Sequence, residues 1–66
     1  MTLNEEIQLV LGMSSTPTDD ELDFLCFEGD INHLFDNPDI SHLSTEQQNH
    51  FLRVVLKAYE HIQFNV

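Results

Sequence analysis

Cysteine is nearly absent from this sequence, and so is any long apolar run. The single thiol, Cys26, excludes an internal disulfide and any zinc site that needs several thiolates. Nothing approaches the roughly 20 consecutive apolar residues of a membrane span, and the first residues lack the basic start of a secretory signal. We therefore expect a cytoplasmic protein that contacts no membrane.

Positive charge is equally scarce. The chain has 12 acidic and 2 basic residues, which gives a formal net charge of -10. The two bases are Arg53 and Lys57, so no Lys or Arg occurs from Met1 to Leu52. A surface of one sign repels nucleic acids and anionic membranes and attracts basic proteins. We therefore expect no direct binding of nucleic acid, and a basic protein as the partner.

The short chain limits the organisation of the fold. Its 66 residues form a single domain, 1–66. A chain of this length buries only about 60% of the surface that its unfolded form exposes, so its stability margin is small. The apolar share of 41% is still sufficient for a core and too high for a disordered chain.

Three capping-box motifs predict where helices begin. In each, a hydroxyl caps the amide three residues later, and a Glu or Gln side chain reaches back. The pairs are Thr2 with Glu5, Thr18 with Glu21, and Ser44 with Gln47. Gly12 suits the end of the first helix and Pro38 the end of the second, whereas Gly29 lowers the helix propensity between them.

These signals predict the helices at about 3–11, 19–36 and 45–63. The second is either continuous or broken near residue 29. No strand-like alternation of useful length is present. The predicted fold is therefore all-α, a compact bundle of three or four short helices.

Apolar spacing predicts which sides of the helices are buried. On a continuous second helix two opposite sides are apolar: Phe24, Phe27, Ile31, Leu34 and Phe35 on one, and Leu22, Leu25 and Cys26 on the other. We expect such a helix to be central, with neighbours on both sides. For the third helix we expect an inward side of Phe51, Leu52, Val55, Ala58, Tyr59 and Ile62 and an outward side of Asn49, His50, Arg53, Lys57, Glu60 and His61.

Residues that could support catalysis or bind a metal have structural explanations. Cys26 lies on an apolar stripe, which favours a core residue over a nucleophile. His50 and His61 lie on one helix but about 16 Å apart, so one ion cannot join them. A domain this small also has little room for a ligand pocket. We expect no enzymatic activity, no cofactor and no metal site.

The acidic residues supply the main functional hypothesis. On a continuous second helix, Asp19, Asp23 and Asp30 form one line, and Glu21 and Glu28 form another. Natural surfaces usually intersperse bases among acids to relieve repulsion, which this region does not do. Carboxylates can also occupy a groove whose Lys and Arg bind phosphates. The candidate partner-binding residues are Asp19, Asp20, Glu21, Asp23, Glu28, Asp30, Asp36 and Asp39.

Two hypotheses follow. The first is a small acidic inhibitor or nucleic-acid mimic that occupies a basic surface of a nucleic-acid-binding or -processing protein, a role typical of phage and mobile-element proteins, antitoxins and immunity proteins. The alternative is a structural or adaptor module, in which the acids serve only solubility. Leu9, Ile40, Phe64, Val66 and one side of the second helix would then form a homodimer face or seat a partner helix.

The mimic hypothesis predicts binding that salt weakens. Affinity for the basic partner should fall as ionic strength rises beyond about 0.1–0.2 M, because screening shortens the range of the charges. Changing Asp19, Asp23 and Asp30 together to Asn should reduce it further. Titration calorimetry at several salt concentrations measures both effects, and salt-insensitive binding contradicts the hypothesis.

Overall fold

The capping boxes expected from the sequence all form. We describe a computed structural model of residues 2–28, 32–36 and 38–65, without the side chains of 32, 33 and 65. The Glu5 backbone N–H donates to Thr2 Oγ1 at 3.2 Å, and the Thr2 N–H donates to Glu5 Oε1 at 3.1 Å. The other two boxes repeat this pattern. Three helix starts are therefore fixed by contacts within four residues of sequence.

The described residues are mostly helical and include no strand. Helix α1 spans Leu3–Gly12, and α2 spans Asp19–Asp23 and continues directly into a π-helical segment, Phe24–Glu28. Helix α3 spans Asn32–Phe35, and α4 spans Thr45–Asn65. The expected second helix therefore corresponds to helical segments on both sides of residues 29–31. The expected break near residue 29 lies outside the described residues.

The long helix α4 and the shorter segments together form one core. From α4, Phe51, Val54 and Ala58 are buried, and α1, α2, the π-helical segment and α3 all contribute side chains to the same cluster. These contributors are Ile7, Val10, Leu22, Leu25, Cys26 and Leu34. The Cys26 thiol also lies 3.8 Å from the Ala58 carbonyl oxygen, to which it donates. Because Ala58 has a small side chain, the π-helical segment can approach the α4 backbone closely.

The π-helical segment packs on one side only. Leu25 and Cys26 are buried, whereas Phe24 and Phe27 are 46% and 65% exposed. The expectation of neighbours on both sides is therefore wrong for this segment. Leu34 of α3, which spacing places in line with Phe24 and Phe27, is itself buried in the core cluster.

The orientation of α4 differs from the one that spacing predicts. Phe51 and Ala58 are buried as expected, but Leu52 and Tyr59 are about half exposed, and His61 is buried. The inward side is rotated by somewhat less than the about 100° between neighbouring residues of an α-helix. Val54, which is fully buried, lies near the middle of the true inward side.

The length and hydropathy of a helix determine whether it could cross a membrane. None of the helices in the described part of the chain is both long and apolar enough to cross a membrane.

Two leucines, one buried in the core and one exposed, provide a test of stability. Leu25 is fully buried and Leu52 is 57% exposed. Leu25→Ala should lower the free energy of unfolding by about 2–5 kcal/mol, because it leaves a cavity. Leu52→Ala should change it by less than about 0.5 kcal/mol. Urea denaturation followed by circular dichroism measures both, and equal losses would contradict this assignment of the core.

Candidate protein-binding site

The acids at the start of α2 have several separate structural roles. Glu21 completes the capping box with Thr18, so its side chain stabilises the helix end. Asp19 lines a shallow hollow together with Lys57 and His61 of α4. Asp20 is exposed. The first-turn acids therefore do not all face a partner in the same direction.

Asp23 is tied to the C-terminal helix. His61 Nε2 lies 2.6 Å from Asp23 Oδ1, and because a carboxylate oxygen only accepts, the ring N–H donates. The His61 side chain is 8% exposed and that of Asp23 is 54% exposed. This hydrogen bond joins α2 to α4, so part of the Asp23 carboxylate serves the fold. His61, expected on the outward side, is instead a tertiary contact.

Asp39 is held in the turn before α4. The Ser41 hydroxyl donates to Asp39 Oδ1 at 2.7 Å, and the Ser41 backbone N–H donates to the same oxygen at 3.1 Å. Both hydrogen bonds lower the pKa of Asp39, and the one from the Ser41 hydroxyl contributes more than the one from the backbone N–H. Asp39 is therefore an ionised, oriented carboxylate at neutral pH.

The remaining candidate acids do not extend one line. Asp36 and Glu28 are exposed, and Asp30 lies outside the described residues. A π-helical turn takes up to one residue more than an α turn, so the direction of successive side chains departs from the α-helical register along this segment, most at its end, Glu28. The alignment of Glu21 with Glu28 assumed α-helical geometry throughout, and that geometry ends at Asp23.

The structure instead presents an apolar groove that the sequence analysis did not identify. One wall is α4, where Leu52, Leu56 and Tyr59 are 57%, 56% and 48% exposed. The opposite wall comes from α3 and the residues that follow it. The groove encloses about 620 Å³. Its lining residues are Leu34, Phe35, Pro38, Ile40, Phe51, Leu52, Val55, Leu56 and Tyr59.

A ring contact closes one end of the groove walls onto each other. Phe35 and Tyr59 pack edge to face, with ring centroids 5.5 Å apart and an interplanar angle of 83°. Such aromatic pairs stabilise by about 0.5–1.5 kcal/mol beyond their buried area. The contact joins α3 to α4, which contribute to opposite walls of the groove.

A spacing signal for this groove was present in the sequence. Leu52, Val55, Leu56 and Tyr59 follow the i, i+3, i+4, i+7 rule of a helix face. Phe51, Val54 and Ala58 form a second apolar stripe beside it. Two adjacent stripes on one helix indicate two packing partners, of which the described residues supply one.

The apolar residues named for the adaptor alternative fall in different places. Ile40 lines the groove, whereas Phe64 is 83% exposed at the far end of α4. Leu9 is partly buried against the core. Val66 lies outside the described residues. Ile40 lines the groove, and so do Leu34 and Phe35 from one apolar side of the expected second helix.

The described residues that line the groove carry no formal charge. Two exposed acids, Asp36 and Asp39, belong to the segment that forms the opposite wall, although neither lines the groove. On α4, Arg53 and Lys57 directly follow Leu52 and Leu56. The site is therefore an apolar groove on a chain whose net charge is -10.

Reactive groups are not part of this groove. Burial, with a smaller contribution from the charge of Asp23, raises the pKa of the Cys26 thiol, which faces the core. In the part of the chain that the structure describes, no three His, Cys, Asp or Glu side chains cluster as a metal site would require. The arrangement favours binding by apolar contact and charge.

Comparisons with protein-family models, with curated proteins and with solved structures find no match for this chain.

The contact between Asp23 and His61 can be tested by a double-mutant cycle. We expect Asp23→Ala and His61→Ala to couple by about 0.5–1.5 kcal/mol, because they share one hydrogen bond. Asp20→Ala is the control, since Asp20 is an exposed acid of the same helix. It should couple to His61→Ala by less than about 0.3 kcal/mol. Urea unfolding supplies the four free energies, and equal coupling in both cycles would rule out the pairing.

Proposed function

We propose that this chain is a small acidic binding protein, without enzymatic activity, that binds a basic partner protein through the groove beside α4. The apolar groove carries the proposal. Leu52, Leu56 and Tyr59 are each about half exposed and adjacent on one helix face. Contiguous apolar patches on soluble proteins commonly mark interaction surfaces.

The net charge indicates the class of partner. At -10, the chain attracts a basic surface over distances of several ångströms and repels an acidic one. Charge complementarity chiefly raises the association rate and the specificity, whereas buried apolar contact supplies much of the affinity. In this proposal the acidic residues first attract the partner, and the apolar groove then binds it.

Nucleic-acid mimicry is the more specific form of this proposal. The supporting observation is that Asp20, Asp36 and Asp39 are exposed, and that Asp36 and Asp39 belong to the segment that forms the opposite wall of the groove. A partner whose basic surface binds phosphates would accept such carboxylates, and the chain would then inhibit that partner. Competition with nucleic acid for the partner separates this form from a general adaptor role.

Capture of partners from cells that make this protein tests the proposal. Immobilised chain should retain basic proteins at low salt, and the double variant Leu52→Ser, Leu56→Ser should lose them because it removes the groove wall. The variant Phe24→Ser, Phe27→Ser is the matched control, since it also replaces two exposed apolar residues, on a different segment. Mass spectrometry identifies and quantifies the retained proteins.

The results for the two variants distinguish the groove from the exposed side of the π-helical segment. Retention by the Phe24/Phe27 variant together with loss by the Leu52/Leu56 variant supports the groove. The reverse pattern, or retention of the same proteins by both variants, overturns it. Circular dichroism of each variant establishes that the helices are intact.

A further inference from the structure

We infer that the groove binds a basic amphipathic α-helix of the partner protein, an inference that rests on the proposed function above. Three properties point to this occupant: the backbone chemistry of the groove, the length of its α4 wall and the net charge of the chain.

The backbone chemistry favours a helix over an extended peptide. On the α4 side the groove wall consists of side chains, because the α4 backbone is hydrogen-bonded within its own helix. An extended peptide laid on this wall would bury N–H and C=O groups without partners, which is costly. A helix satisfies its own backbone and offers only side chains, as in other grooves that bind amphipathic helices.

The length of the α4 wall fits a short helical contact. The wall runs from Phe51 to Tyr59, which corresponds to about 12 Å at about 1.5 Å per residue. That distance matches about two turns of a bound helix, whose apolar residues at i, i+3 or i+4, and i+7 would lie along the wall. Leu52, Leu56 and Tyr59 are the exposed side chains available to them.

The charge of the chain selects a basic helix. The net charge is -10, and two exposed acids, Asp36 and Asp39, belong to the segment that forms the opposite wall, where Ser41 orients the ionised Asp39. Lys or Arg flanking the apolar face of a bound helix can lay its methylene stem along apolar surface and reach these carboxylates. A second copy of this chain would instead bring a further net charge of -10 to the same face.

Three synthetic peptides of about 18 residues, about 27 Å long when helical, test the inference. The first is a helix with Leu on one face and Lys elsewhere. The second has the same composition with the leucines distributed around the helix, and the third has Glu in place of Lys. Fluorescence anisotropy at about 0.05 M and about 0.5 M salt measures affinity, and amide chemical shifts of the labelled chain locate the contact.

We expect the first peptide to bind at least about tenfold more tightly than the other two at low salt. Its largest shifts should fall in 34–36, 38–40 and 51–59. The variant Leu52→Ser, Leu56→Ser should weaken binding about tenfold or more, and Phe24→Ser, Phe27→Ser should leave it unchanged. Asp36→Asn with Asp39→Asn should weaken it about threefold at low salt and less at high salt.

Three results would overturn the inference. Equal binding of the leucine-distributed peptide would reduce the interaction to charge alone. Equal binding of the acidic peptide would remove the selection for basic helices. A dimer detected by light scattering, lost in the Leu52/Leu56 variant and competing with the peptide, would make a second copy the occupant.

The two proposals fail separately. If a cellular protein is captured through Leu52 and Leu56 but no helical peptide binds, the helix inference falls and the proposed function stands. If the basic peptide binds in the groove while capture is indifferent to Leu52 and Leu56, the proposed function falls.

Discussion

The rotation of α4 about its own axis is the constraint on which this structure depends. In a chain of 66 residues one long helix must serve as the packing surface for the shorter segments. The side that bears Phe51, Val54 and Ala58 fills the core. That choice draws His61 inward to Asp23 and leaves Leu52 and Leu56 facing outward. Core and groove are thus two results of one orientation.

Features set by contacts near in sequence could be predicted, and those set by tertiary packing could not. Thr2, Thr18 and Ser44 determine helix starts through side chains three residues away, so the motif alone is sufficient. The orientation of α4 is different, because two neighbouring stripes are both apolar and hydrophobicity does not rank them. Tertiary contacts decide between them, among them the contact of the Cys26 thiol with the Ala58 carbonyl oxygen and the hydrogen bond of His61 with Asp23.

Charged and titratable residues were the hardest to assign. Glu6 is fully buried, although acidic residues are usually exposed. The acids expected to share one face include Glu21, which caps a helix, and Asp23, which pairs with His61. The amino-acid composition gives the number of acidic residues but not which groups they contact. From the sequence, an acidic surface and an apolar face were two separate hypotheses, and the location of the groove required the folded chain.

The small side chain of Ala58 has a consequence for how this sequence can diverge. A larger residue there would push the π-helical segment off α4, and the segment leads directly from α2, where Asp23 meets His61. We therefore expect that larger side chains at position 58 are not tolerated. By contrast, Leu52 and Leu56 are about half exposed and face no such steric limit, so substitutions there can change the proposed binding surface without disturbing the core.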